Sequence, residues 1–234
     1  MKAIMLAAGE GVRMRPLTQR APKQLQMLHG KPLVEYIFER VPKEIDEFVI
    51  VIGYKGDMIK DYCKDRFLGR PVTYIVQPEK TGTYRALELA RNLLKDGERF
   101  LMLYGDDLHG ARGMRDLLSH DRALLVHEVE NPRAYGVIEV DASMMITDIV
   151  EKPENPKSNL ISSGVMVLDT SVFLYPPTVP RNGEYFLPDA IARMLPKFPM
   201  AAVRSSFWFP ITTPEDLARA DEFLAEPSNI EKLS

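Results

Sequence analysis

The chain has 234 residues, 45% hydrophobic and 27% charged, with a formal net charge of -3. That composition excludes disorder, and the absence of a basic excess excludes nucleic acid as the main partner. A single cysteine, Cys63, excludes an internal disulfide, and no apolar run approaches the roughly 18 residues of a membrane span, so a cytoplasmic protein without anchor is expected.

In chain order, short apolar runs alternate with segments of helical spacing. A strand at 4–8 stops at a glycine turn, well short of the apolar core of a signal peptide. A helix at 33–41, a strand at 48–52, a helix at 58–67 and a strand at 72–76 follow, then a helix at 84–94 and a strand at 100–104. Strands joined by crossover helices predict a mainly parallel sheet covered on both faces, with ligands at the carboxyl ends of its strands. Beyond Asp121 the runs at 124–128, 135–140, 146–150 and 165–168 are closely spaced with turn residues between them, which predicts an α+β region. Thr213 as N-cap, Pro214 in the first turn and Glu215 and Asp216 near the positive helix end predict a closing helix to residue 224. No linker separates the halves. The expectation is one domain, 1–234, with a first lobe at 1–121 and a second lobe with the closing helix at 122–226.

The first strand runs into Ala7-Ala8-Gly9-Glu10-Gly11-Val12-Arg13-Met14-Arg15-Pro16-Leu17-Thr18, with Lys23 shortly after. Two glycines at a strand end let backbone N–H groups approach phosphate oxygens, and Arg13 and Lys23 could neutralise their charge. The same pair read alone also fits a plain structural turn. It is neither a Walker loop nor a full dinucleotide fingerprint, because the lysine does not follow the last glycine and the third glycine is missing.

This stretch resembles the loop G-x-G-x-R-x-x-P-L-T, with a following P-K or S-K-Q-L lysine, of the sugar nucleotidyltransferases, a family that includes glucose-1-phosphate thymidylyltransferases. The resemblance implies a Rossmann-like α/β fold with a mixed, mainly parallel sheet flanked by helices and a smaller α+β sugar-binding lobe. By that similarity Arg13 and Lys23 are catalytic, holding and polarising the triphosphate, while Ala8, Gly9 and Gly11 shape the loop. Val12 stands where the family usually has Thr or Ser, so one hydroxyl contact is missing. Gln77 and Gly82, in Gln77-Pro78-Glu79-Lys80-Thr81-Gly82-Thr83, match the segment that meets the nucleobase; alone, they read sooner as a strand end and a helix cap. Tyr104-Gly105-Asp106-Asp107-Leu108 is similar to the segment whose carboxylate binds Mg²⁺, making Asp106 the metal ligand and leaving Asp107 as a solvated turn acid. Gly136, Glu151, Lys152 and Gly164 match the sugar-phosphate lobe, with Glu151 on sugar hydroxyls, Lys152 on the phosphate and the two glycines leaving space for the ring.

One departure stands out. The family's late motif commonly reads W-x-D-x-G-T-P, its aspartate being a further Mg²⁺ ligand, whereas this chain has Trp208-Phe209-Pro210-Ile211-Thr212-Thr213-Pro214. Proline supplies no side-chain oxygen. Three accounts follow: another acid or water completes the site, the enzyme works with one carboxylate, or the chain is a catalytically silent nucleotide-sugar binder. The resemblance otherwise implies transfer from a nucleoside triphosphate, dTTP or UTP first, to a sugar 1-phosphate, glucose 1-phosphate first, with Mg²⁺ as cofactor. A non-sugar phosphate acceptor is the remaining alternative. The short tail after the closing helix gives the expectation of neither the β-helical acyltransferase nor the dimer-forming extension of longer relatives, and no oligomeric state is implied.

Overall fold

The computed structural model describes residues 1–233. Its first half is built from β1 (Lys2–Ala7), a ribbon of β2 (Met27–Leu28) with β3 (Lys31–Pro32), α1 (Leu33–Arg40), β4 (Glu47–Ile52), α2 (Gly56–Cys63), β5 (Arg66–Phe67), β6 (Arg70–Val76), α3 (Thr83–Glu88), β7 (Arg99–Tyr104), β8 (Asp107–His109) and α4 (Ala111–Leu117). The second half adds β9 (Ala123–Glu128), β10 (Gly136–Val140), β11 (Ile146–Glu151), β12 (Leu160–Asp169), α5 (Leu187–Met194), β13 (Ala201–Arg204), β14 (Trp208–Pro210), α6 (Pro214–Ala225) and α7 (Pro227–Glu231).

One ten-stranded sheet organises the molecule, in the order β11-β10-β12-β7-β1-β4-β6-β5, with β9 pairing β12 and β13 pairing β9. β7, β1, β4 and β6 are mutually parallel. Their sequences are near-continuous apolar runs because both faces are covered: Met5, Ile50, Leu101 and Leu103 enter one core, and Ile4, Val49, Phe100 and Met102 enter the other. β12 runs antiparallel to β7 and β9 and joins the two halves edge to edge. Its Val165 and Val167 enter the first core, Met166 and Leu168 the second.

Three expected elements change shape. The helix expected at 58–67 ends at Cys63, where Lys64 takes φ 53° and lets β5 turn back on β6. The helix expected at 84–94 is α3 followed by a separate 3-10 turn, Arg91–Leu93. The last β12 run is longer than expected, ten residues rather than the four at 165–168, because Leu160–Ser162 pair with β9 ahead of a register shift around Gly164. α6 begins as its sequence implies, with a reciprocal capping box: Thr213 Oγ1 accepts from Asp216 N, and Asp216 Oδ2 accepts from Thr213 N. No described helix is long and apolar enough to cross a membrane.

Candidate active site

β1 ends at the carboxyl edge of the sheet, and the chain then turns through Ala8, Gly9 and Glu10. Gly11 follows at φ 59°, and a Cβ there would stand 2.9 Å from Thr18 Cγ2. Glycine therefore meets both a left-handed backbone and a tight fit. Thr18 Oγ1 donates to the Gly11 carbonyl at 2.9 Å, pinning the turn. The 3-10 turn Val12–Met14 then carries Arg13 outward. Lys23 is 7% exposed, and its ammonium lies 3.2 Å from Asp106 Oδ2. Asp106 sits in the turn between β7 and β8, with its side chain 42% exposed. An ammonium so placed can donate to an anion entering from the cavity.

Two cavities open along this edge, about 360 Å³ and about 550 Å³, both within the usual size range of small-molecule sites. The first is lined by Ala8, Gly9, Gly11, Lys23, Gln77 and Gly82. The second is lined by Gly136, Glu151, Lys152 and Gly164, with Tyr135 and Trp208. Arg13, Thr83, Tyr104, Asp106 and Thr212 line both, so the two spaces meet at Arg13 and Asp106.

A model of the nucleotidyl transferase family matches residues 2–227. The chain belongs to the nucleotidyl transferase family. It is 33% identical over 241 aligned residues to the UTP–glucose-1-phosphate uridylyltransferase AglF of Haloferax volcanii, covering 97% of each chain. It is 32% identical to the bifunctional protein GlmU of Methanocaldococcus jannaschii, covering 98% of this chain and 55% of GlmU, so it spans about half the length of such relatives. The fold matches that of a UDP-glucose pyrophosphorylase complexed with UDP-glucose, with a TM-score of 0.82 and 22% identity over 96% of this chain and 98% of that one. It also matches a protein assigned as a glucose-1-phosphate thymidylyltransferase from Bacillus anthracis, with a TM-score of 0.81 and 24% identity over 95% and 94%.

Within this nucleotidyl transferase, Gln77 Nε2 lies 3.5 Å from both Thr81 Oγ1 and the Gly82 carbonyl. Gly82 takes φ 98°, and a Cβ there would collide with the Tyr185 backbone. The two backbones interlock: Tyr185 N donates to Thr81 O at 2.9 Å, and Tyr84 N donates to Tyr185 O at 3.0 Å. This seam brings Glu184 from the second half to the wall of the first cavity, 3.5 Å from Lys80. On the other side, Lys152 Nζ stands 3.5 Å from Glu151 Oε1. Burial pushes the Glu151 carboxyl above the usual carboxylate range, and Lys152 and Arg181 oppose the shift. Gly136 leaves its space to Glu151, since a Cβ would lie 3.2 Å from Oε2. Gly164 leaves its space to protein rather than to a ligand: at φ 88°, a Cβ would lie 2.7 Å from Tyr104 Cδ2.

Asp107 corrects the expectation of a solvated turn acid. It opens β8, which pairs with β14 of the late motif. Trp208 Nε1 donates to Oδ2 at 2.9 Å and Ile211 N donates to Oδ1 at 3.2 Å. Burial, reinforced by the negative charge of Asp106, pushes its carboxyl well above the usual carboxylate range. Behind it His109 is buried and its pKa falls to about 4, so it stays neutral at physiological pH. Gln24 was also missed, although it follows Lys23 directly. It is buried and lines the first cavity, and its Oε1 has no partner.

The donor set fits a hard divalent cation shared with a phosphate ligand. Mg²⁺ prefers oxygen and typically takes one or two protein carboxylates, leaving its other positions to water and substrate. Asp106 presents such an oxygen where the cavities meet. Among the described residues no group of three or more His, Cys, Asp or Glu forms a protein-only cage.

Proposed function

We propose that this chain is a sugar-1-phosphate nucleotidyltransferase acting on dTTP or UTP and glucose 1-phosphate, releasing pyrophosphate. The single observation that carries the reading is the junction of the two cavities at Arg13 and Asp106, with Lys23 buried beside it. UTP is the first nucleotide to test, because AglF, which shares nearly the full length of this chain, is a UTP–glucose-1-phosphate uridylyltransferase. We treat residues 1–234 as one domain, since β12 pairs with strands of both halves. A cytoplasmic setting suits its lone, buried thiol.

In this reading the base sits against Gln77 and Gly82, and the triphosphate lies over the Ala8–Gly11 turn. A phosphate oxygen of the sugar 1-phosphate attacks the α-phosphorus. The new O–P bond forms as the bond to the β-phosphate breaks, and pyrophosphate departs with its electron pair. Lys23 and Arg13 stabilise charge as it moves toward the leaving group, while Lys152 holds the attacking phosphate and Glu151 accepts hydrogen bonds from sugar hydroxyls. Mg²⁺ on Asp106, when bound, supplies further neutralisation of the triphosphate. No covalent enzyme intermediate is required.

Pyrophosphate release across a panel of nucleoside triphosphates and phosphorylated acceptors, with and without Mg²⁺, tests the reading. Release with UTP or dTTP and glucose 1-phosphate, lost in Asp106→Ala, supports it. Release only with a non-sugar phosphate changes the acceptor. Nucleotide-sugar binding with no release under any condition makes the chain a silent binder, the reading that Pro210 favours.

A further inference from the structure

We infer that Asp107 supplies the second protein carboxylate to the divalent cation of this site, beside Asp106. This rests on the nucleotidyltransferase reading above. The register of β8 against β14 sets Asp107 directly opposite Pro210. Residues opposite each other in an antiparallel pair point to the same face, with Cβ atoms about 4.5–5.5 Å apart. Position 210, having no side-chain oxygen, leaves Asp107 as the only carboxylate of that cross-strand pair.

The side chain lies along this shared face. Trp208, two residues before Pro210 and on the same side of β14, donates from Nε1 to Asp107 Oδ2, and Ile211 N donates to Oδ1. Each oxygen of the carboxylate thus has one N–H partner and one lone pair left. The two donors fix the rotamer, as outer partners of metal ligands do. Asp106 precedes β8 in a turn, so strand alternation does not send the two acids to opposite faces, and both line the second cavity.

The other acids of that cavity are committed elsewhere. Asp216 accepts from Thr212 N and Thr213 N at 2.9 Å each and from Arg219 at 2.5 Å. Glu151 lies at the end of β11 with Lys152.

The test is Mn²⁺ affinity, read from the free-ion electron paramagnetic resonance signal with UTP and taken relative to UTP alone, which itself binds the ion, for wild type, Asp106→Asn, Asp107→Asn, Trp208→Phe and Pro210→Asp. Asp107→Asn should weaken Mn²⁺ binding by about 100-fold or more, at or beyond the upper end of what loss of an outer partner costs. Trp208→Phe, which removes a tether but no ligand, should weaken it by less than half as much on a logarithmic scale. Pro210→Asp, which places a carboxylate opposite Asp107, should tighten it several-fold and provides a result even if Asp107→Asn does not fold. Adding Pro210→Asp to Asp107→Asn should restore the affinity. Equal losses in Asp107→Asn and Trp208→Phe would make Asp107 a structural tether and overturn the inference. So would unchanged affinity in Pro210→Asp. If wild type with UTP retains no more Mn²⁺ than UTP alone and Asp106→Asn changes nothing, the transferase reading itself fails. Loss in Asp106→Asn alone defeats only the role of Asp107.

Discussion

Replacing Lys23 with methionine separates chemistry from folding at one atom. The stem of Lys23 is buried, so methionine keeps most of its packing and deletes the ammonium 3.2 Å from Asp106. The pair contributes little to stability, because Asp106 is 42% exposed and solvent screens it; the loss should be no more than about 1 kcal/mol. For a chain of this length that corresponds to a fall in melting temperature of roughly 2–4 °C. The catalytic loss should be far larger. A preorganised donor on developing phosphate charge is worth about 10²- to 10³-fold in kcat, or roughly 2.7–4 kcal/mol. Steady-state pyrophosphate release and a thermal melt on the same preparation measure both quantities. A variant melting within 4 °C of wild type and turning over within threefold of it would refute the assignment of Lys23. Equal losses in both assays would make it a structural ion pair.

Gly82→Ala should be strongly destabilising, since a left-handed backbone alone costs about 1–3 kcal/mol for a side chain and here the Cβ also overlaps Tyr185; an unchanged melt would contradict the interlock. Thr213→Ala should cost about 1 kcal/mol through loss of the α6 cap, measured by urea titration. Burial raises the pKa of Asp216, but Arg219 and the amides of Thr212 and Thr213 outweigh it, so the net shift is downward. Its contribution is therefore fully present above the ordinary aspartate range and lost as pH falls through the depressed folded value; the stability gap between wild type and Asp216→Asn should be flat from pH 5 to 7 and close below about pH 4. Burial pushes the Cys63 thiol up to about 12, so a disulfide reagent should label it only at the rate of unfolding; rapid labelling of native protein would contradict its place in the core.

The strands of the first half were legible because doubly covered strands carry nearly unbroken apolar runs, as at Phe48 to Ile52. The phosphate turn was legible because Gly9, Gly11, Arg13 and Lys23 are close in sequence. α4 and α5 were not read: each has eight residues or fewer, and they contain Gly113 and Pro188, which obscure helical spacing. β13 is a four-residue edge strand just after Pro199, too short to show a period. Asp107 was misread because its partners, Trp208 and Ile211, lie about a hundred residues away and only the β8–β14 register brings them together. Glu184 was invisible for the same reason, reaching the first cavity only through the Tyr185–Gly82 seam.

The position of β12 bears on how this protein could be divided or recombined. A fragment ending at residue 121 would retain the glycine turn, Lys23 and Asp106, yet it would strip β7 of its antiparallel neighbour. Phe100 to Leu103, wholly enclosed in the intact chain, would then form an open, apolar strand edge, a template for self-association. Chimaeras that exchange the sugar-facing half with a relative must therefore carry Val165 to Asp169 in matching register, since a slip of one residue would interchange the side chains destined for the two cores.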